Sequence, residues 1–228
     1  MESVRTVIVE DHNFTRDLMG KVCSQEFGCV LVGEAADGAQ AIEVILHRKP
    51  ELVLLDMRLP LISGFSVIET VRRAGPNPRI LLLSAYCDDY AVYRVERIRV
   101  DGFVDKRTGT LVELRQAMEA VMAGRTYFSP SFLETKARRR RDPHGFEILL
   151  TEREQTVLAM IGDLHPDVEI ARRLGMSPET LEKHRCNLRR KLGLGGGSDL
   201  ARYAREHGFT EGVVLPTAWA GDGRAIRT

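Results

Sequence analysis

Five side chains in the first half of this sequence could do chemistry together, and each follows a short apolar run. Glu10 and Asp11 come after residues 4–9, Asp56 after 52–55, Ser84 after 80–83 and Lys106 just after 102–104. Three carboxylates crowded together raise one another's pKa unless a cation is present. A donor set made only of oxygens suits Mg2+, which takes a few carboxylates, retained waters and a phosphate oxygen. A lysine and a hydroxyl beside them complete a phosphoryl-transfer site. In it one carboxylate attacks, metal and lysine neutralise the phosphoryl oxygens, and the hydroxyl donates a hydrogen bond.

These residues meet only if the apolar runs are parallel strands. The runs at 4–9, 30–35, 52–55, 80–83 and 102–104 carry consecutive β-branched and leucine residues rather than alternating ones, the pattern of strands covered on both faces. Amphipathic stretches near 13–26, 38–48, 64–74, 89–99 and 109–123 fall between or after them. The expected fold is therefore an α/β doubly wound, five-stranded parallel sheet. Ligands of such sheets bind beyond the carboxyl ends of the strands, where the five polar residues stand.

The pattern changes after residue 124. A segment rich in Gly, Pro, Arg and Ser reads as a linker over 126–148 with a short helix around 132–138. Its basic run, Lys136 to Arg141, is either a solvated face or a contact for DNA phosphate. From residue 149 to 212 only helices are expected. Thr151 and Glu154 form a capping box, and a second helix near 167 stops at Gly175. Ser177 and Pro178 start a third that runs to about 192, and a fourth covers roughly 198–207. The tail 213–228 lacks periodicity and reads as disordered.

Composition adds bounds. Hydrophobic residues make up 43% and charged residues 29% of 228, which is ordinary for a globular protein of two small domains. No apolar run can span a bilayer, and the first residues carry no export signal, so a cytoplasmic location without membrane association is expected. The four cysteines have no CxxC spacing and read as reduced thiols rather than a zinc site. The net charge of +1 is uninformative, although the basic excess lies in the second half.

In the first 125 residues, VIVEDH, LLDMRLPLISG with Asp56, Pro60 and Gly64, LLLSAY and GFVDK stand in order. This part resembles the receiver domain of two-component response regulators. The resemblance implies that Asp56 accepts a phosphoryl group from a sensor histidine kinase, assisted by Lys106 and Ser84. It also implies that Glu10, Asp11, Asp56 and the backbone carbonyl of Arg58 hold Mg2+. Phe103 stands where the family places an aromatic switch that turns inward as Ser84 moves; it could equally be a plain core residue. Arg99 departs from the family's usual glycine, so the turn after the fourth helix is expected to differ in shape. Arg58 and Tyr86 form a bulky pair flanking Asp56, where side chains modulate attack by water.

Residues 150–209 resemble the LuxR/NarL/FixJ helix-turn-helix through LTEREQTVLAMI, EIARRLGMSPETLEKHRCNLRRKLGL and LARYAREHGF. On the third helix Leu181, His184, Leu188 and Leu192 share the core side. His184 is read there as a packed side chain rather than a ligand. Opposite lie Glu179, Lys183, Cys186 and Arg190, flanked by Glu182 and Arg189, the candidate face for a DNA major groove. Glu182 replaces a frequent lysine and is expected to influence base choice. Leu200, Tyr203 and Ala204 form a stripe that resembles the family's dimerisation helix, packs on its own domain, or does both.

The resemblance implies a transcription regulator rather than an enzyme, binding double-stranded DNA as a homodimer when phosphorylated. A haloacid-dehalogenase-type phosphatase needs a second Asp two residues after the nucleophile, and Arg58 stands there. The other alternative is a regulator that uses the receiver for protein contacts without phosphorylation.

Overall fold

The computed structural model describes residues 3–59, 62–141, 150–195, 199–206 and 209. Pro60, the 142–148 part of the linker, Ser198, His207 and the 213–228 tail lie outside them. The chain divides into two units, Met1–Asp142 and Pro143–Thr228. No helix among the described residues is long and apolar enough to cross a membrane.

In the first unit the strands are β1 Arg5–Val9, β2 Val30–Ala35, β3 Leu52–Asp56, β4 Arg79–Ser84, β5 Gly102–Asp105 and β6 Tyr127–Phe128. All pair in parallel in the order β2-β1-β3-β4-β5-β6. Five strands were expected and six are present: β6, two residues inside the expected linker, extends the sheet beyond β5. The helices are α1 Asn13–Phe27, α2 Gly38–Arg48, α3 Gly64–Arg73, α4 Asp89–Ile98, α5 Leu111–Met122 and α6 Pro130–Arg141.

The continuous apolar runs have the expected cause. Along β1 and β3, Val7, Val9, Val53 and Leu55 join the core on one face with Phe65, Ile68 and Val92. The intervening Ile8, Leu52 and Leu54 join the core on the other face with Met118 and Val121. β1 and β3 are thus covered on both faces, as in doubly wound sheets, whereas β2 at the sheet edge is only partly buried. Side-chain caps start α2, α3, α4 and α5: Asp37, Ser63, Asp88 and Thr110 each accept from a backbone N–H three residues on.

α4 ends on Arg99, which adopts φ 53°. The turn thus keeps the left-handed backbone that glycine favours, although L side chains resist it. The carbonyls of Ile98 and Arg99 both accept from the Arg72 guanidinium, which fastens the turn.

The second unit contains α7 Glu152–Gly162, α8 Asp167–Arg173, α9 Pro178–Leu192 and α10 Asp199–Glu206. The capping box is present, with Thr151 N donating to Glu154 at 2.8 Å. Ser177 caps α9 ahead of Pro178. Gly175 turns between α8 and α9 at φ 59°. Of the stripe, Leu200 and Ala204 pack inside this unit while Tyr203 is half-buried. α7 and α10 approach closely because Gly162 has no side chain: a Cβ there would lie 2.8 Å from that of Ala204.

Candidate functional site: an acidic pocket and a helical face

β1 and β3 are neighbours, with β2 outside β1 and β4 outside β3, so the strand order reverses between them. Helices cross to opposite faces there and leave a crevice at the carboxyl ends. Glu10 follows β1 on one side of it, and Asp56 ends β3 on the other.

Lys106, just past β5, reaches across to both. Its Nζ donates to Glu10 Oε2 at 2.6 Å and to Asp56 Oδ2 at 2.7 Å. Glu10 is 1% exposed. Burial, joined by the Asp56 charge, pushes its carboxyl above the ordinary range against the pull of Lys106. Burial works to lower Lys106, but the two carboxylates outweigh it and hold the ammonium above its usual value. Asp56 Oδ1 accepts from Arg58 N at 3.1 Å, which curls the chain after β3 around the carboxylate. Gly64 allows this loop to close, since a Cβ there would lie 2.5 Å from the Asp56 carbonyl oxygen.

Ser84 ends β4, fully buried. Its Oγ accepts from Tyr86 N at 3.0 Å, so its own proton remains available to a ligand. Its carbonyl accepts from Lys106 N at 2.7 Å, joining it to the pocket through the backbone. Above this edge the Arg58 guanidinium lies over the Tyr86 ring, 3.3 Å from its centroid.

Asp11 is half-buried beside Glu10. Glu10, Asp11 and His12 place ligand atoms within 4.8 Å of one another, with His12 Nδ1 3.1 Å from Asp11 Oδ1. His12 has no role in the sequence expectation, although a histidine adjoining an acidic pair is a signal for a further ligand. The predominantly oxygen donors fit a hard divalent cation, and a buried Glu10 beside Asp56 leaves negative charge that such a cation would balance. Phe103, on β5, is fully buried against Phe132 of α6, with centroids 5.1 Å apart.

The second candidate surface lies on α9. Leu181 and Leu188 face the core, while His184 and Leu192 are half-buried beside them. Glu179, Glu182, Lys183, Cys186 and Arg190 are exposed and Arg189 half-buried, so the six expected residues share the outer side. Their charges are not equally available. Glu182 pairs with Arg189 at 3.3 Å and with Arg185 at 3.8 Å. Arg185 also meets Asp167 at 2.9 Å, and Lys191 meets the buried Glu154 at 2.7 Å. Among the described residues Lys183 has no such partner and Arg190 reaches only Asn187. Sequence spacing found the face but not these pairings, which depend on rotamers and on α7 and α8.

Residues 6–119 match the response regulator receiver domain, and residues 149–204 match the luxR family of bacterial regulatory proteins. Response regulator GacA of Pseudomonas aeruginosa is 26% identical over 211 residues, covering 91% of this chain and 98% of its own. Transcriptional regulatory protein MctR of Rhizobium johnstonii is 29% identical over 210 residues, covering 92% and 97%. Among solved structures, the RcsB response regulator of Salmonella typhimurium superposes with a TM-score of 0.69 at 21% identity, covering 90% of this chain and 98% of that one. At that identity the likeness speaks for the fold alone.

Proposed function

The chain belongs to the response regulators that join a receiver domain to a luxR-family DNA-binding domain, and on that premise we propose that phosphorylation of Asp56 controls its binding to DNA. The observation that carries this reading is Lys106 bonded at once to Glu10 and Asp56 across the strand-order reversal. Such a cation holds the acceptor ready and carries the charge that a new phosphoryl group would attract.

In the proposed reaction an Asp56 oxygen attacks the phosphorus of a phosphohistidine on a sensor kinase. The O–P bond forms as the P–N bond breaks, and the leaving imidazole takes up a proton. Lys106 leaves the Asp56 oxygen for a phosphoryl oxygen, and Ser84 donates its free proton to another. Glu10, Asp11, Asp56 and the Arg58 carbonyl would hold Mg2+, which supplies positive charge to the phosphoryl oxygens when bound. Phosphorylation then favours a homodimer whose two α9 helices enter successive major grooves of a two-half-site operator. Lys183 and Arg190 supply phosphate contacts, Arg189 joins them if it leaves Glu182, and Glu179, Glu182 and Cys186 border the bases. The domains of this reading are residues 1–125 and 149–212.

The test uses the full chain with Mg2+ and beryllofluoride, a phosphoryl mimic, for wild type and Asp56→Ala. Oligomeric state is read by sedimentation, and binding by selection from a random duplex pool. Dimerisation and enrichment of a two-half-site sequence in wild type alone supports the proposal. Equal dimerisation and binding by both proteins without the mimic refutes it in favour of a receiver that acts through protein contacts.

A further inference from the structure

Residues 127–141 fall between the two family-matched segments, yet they are built into the first unit. β6 pairs with β5, and α6 lies along α4 and β5. Phe132 is 1% exposed, with Phe103 5.1 Å and Phe128 4.8 Å from its ring centroid. At the start of α6, Ser131 Oγ donates to Asp105 Oδ2 at 3.0 Å, and Ser129 Oγ accepts from Asp105 N at 3.3 Å. Midway, Thr135 donates to the Cys87 carbonyl at 3.2 Å. Toward the end Arg138 pairs with Asp89 at 2.7 Å, while Lys136 and Arg139 both pair with Glu96 at 3.0 Å. Three of the five cations of the basic run are thus engaged by acids of α4.

We propose that α6 is a releasable clamp, docked on α4 and β5 while Asp56 is unmodified and loosened when Asp56 carries a phosphoryl group. The proposal rests on reading Asp56 as the acceptor. The connection is covalent and short. Lys106 touches Asp56, and its neighbour Asp105 holds Ser131 and Ser129. Lys106 N is bonded to the Ser84 carbonyl, so movement of Ser84 or Lys106 toward a phosphoryl group shifts the Asp105 backbone. Phe103, two residues before Asp105, points to the same side of the sheet and rests on Phe132. It cannot change rotamer without changing that contact, because close-packed rings leave no spare volume. Of the ion pairs farther along, Arg138–Asp89 is exposed on the arginine side and adds little, whereas Arg139 is buried and its pair with Glu96 adds to the hold. The clamp therefore hangs on Phe132, the two serines and Arg139. Release would free twelve helical residues between the receiver and the DNA-binding half.

Hydrogen exchange of the full chain tests this, with Mg2+ and with or without beryllofluoride. Slowed exchange around residues 56–59 and 84–87 reports loading of the pocket, and residues 130–141 report the clamp. The expected result is slowing in the pocket and acceleration in α6 of about tenfold or more, as for a locally opened segment. Ser131→Ala is expected to load normally and to show fast α6 exchange before beryllofluoride is added. Asp56→Ala is expected to respond at neither place. A pocket that loads while α6 exchange stays unchanged overturns the clamp and leaves the acceptor role intact. A wild-type pocket that shows no loading overturns both.

Discussion

Replacing Lys106 with methionine should weaken the unloaded protein and tighten its hold on Mg2+. The ammonium lies within 2.7 Å of one oxygen each of Glu10 and Asp56, so those oxygens are at most about 5.3 Å apart. Two unit charges at that distance repel by about 3 kcal/mol at the effective dielectric of roughly 20 that suits partly buried sites. Methionine fills similar volume but removes the charge between them. Proton uptake by Glu10 and solvent at the pocket mouth relieve part of the repulsion, leaving an expected loss of about 1–3 kcal/mol. Mg2+ no longer competes with the lysine, so its affinity should rise by about one to two powers of ten, at roughly 1.4 kcal/mol per tenfold. Thermal unfolding with EDTA and with millimolar Mg2+, plus a Mg2+ titration, measures both. The pH dependence has a defined sign. Glu10 already binds its proton more readily folded than unfolded, so its contribution to stability falls as pH rises through its raised folded value. Without Lys106 this dependence should steepen, and the variant should recover as pH falls toward the ordinary glutamate range. A Lys106→Met protein whose stability ignores EDTA and whose Mg2+ affinity is no higher than wild type would refute the account.

Three further outcomes follow from the same geometry. Arg99→Gly should stabilise the receiver by about 1 kcal/mol, because the left-handed backbone at Arg99 costs roughly 1–2 kcal/mol and glycine returns part of that through a freer unfolded chain; a melting temperature that falls would contradict it. Gly64→Ala should impair beryllofluoride loading while leaving the second unit folded, since the added methyl would press on the Asp56 carbonyl; normal loading by titration would count against this. In the second unit, burial raises the Glu154 carboxyl, but Lys191 and Thr151 outweigh it and hold it below its ordinary value. Ionised Glu154 therefore adds stability above the unfolded pKa that is lost as pH falls through the folded one, and Glu154→Gln should flatten the acid limb of that unit's unfolding.

The receiver pocket was legible because each of its polar residues terminates a continuous apolar run, and a parallel sheet brings such ends together whatever the loops do. Cap signals worked similarly at Thr151, Ser177 and Pro178, where local chemistry decides. The sixth strand and the extent of α6 were not legible. α6 has an almost wholly polar sequence with Phe132 as its one large fully buried side chain, so its periodicity carries little signal. What orders it are acids and rings supplied by α4 and β5, far away in sequence. Arg99 shows the opposite case. Its residue type suggested an altered turn, but Arg72 bonds the carbonyls on either side of the bend and holds the left-handed backbone regardless. On α9 the outer face followed from spacing, whereas the Glu182–Arg189 pair depends on which rotamers meet.

The docking of α6 also says where this protein can be divided. A fragment ending near residue 125, just past the matched receiver segment, would lose β6 and leave the hydrogen-bonding rim of β5 open. It would also uncover Phe103. Open strand rims and bare aromatic patches recruit one another between molecules. Such a fragment should self-associate, and its oligomeric state would say nothing about signalling. Extending the cut to residue 141 keeps the rim paired and the ring covered, so that a dimer of that fragment which forms only with beryllofluoride would test the proposed role of Asp56.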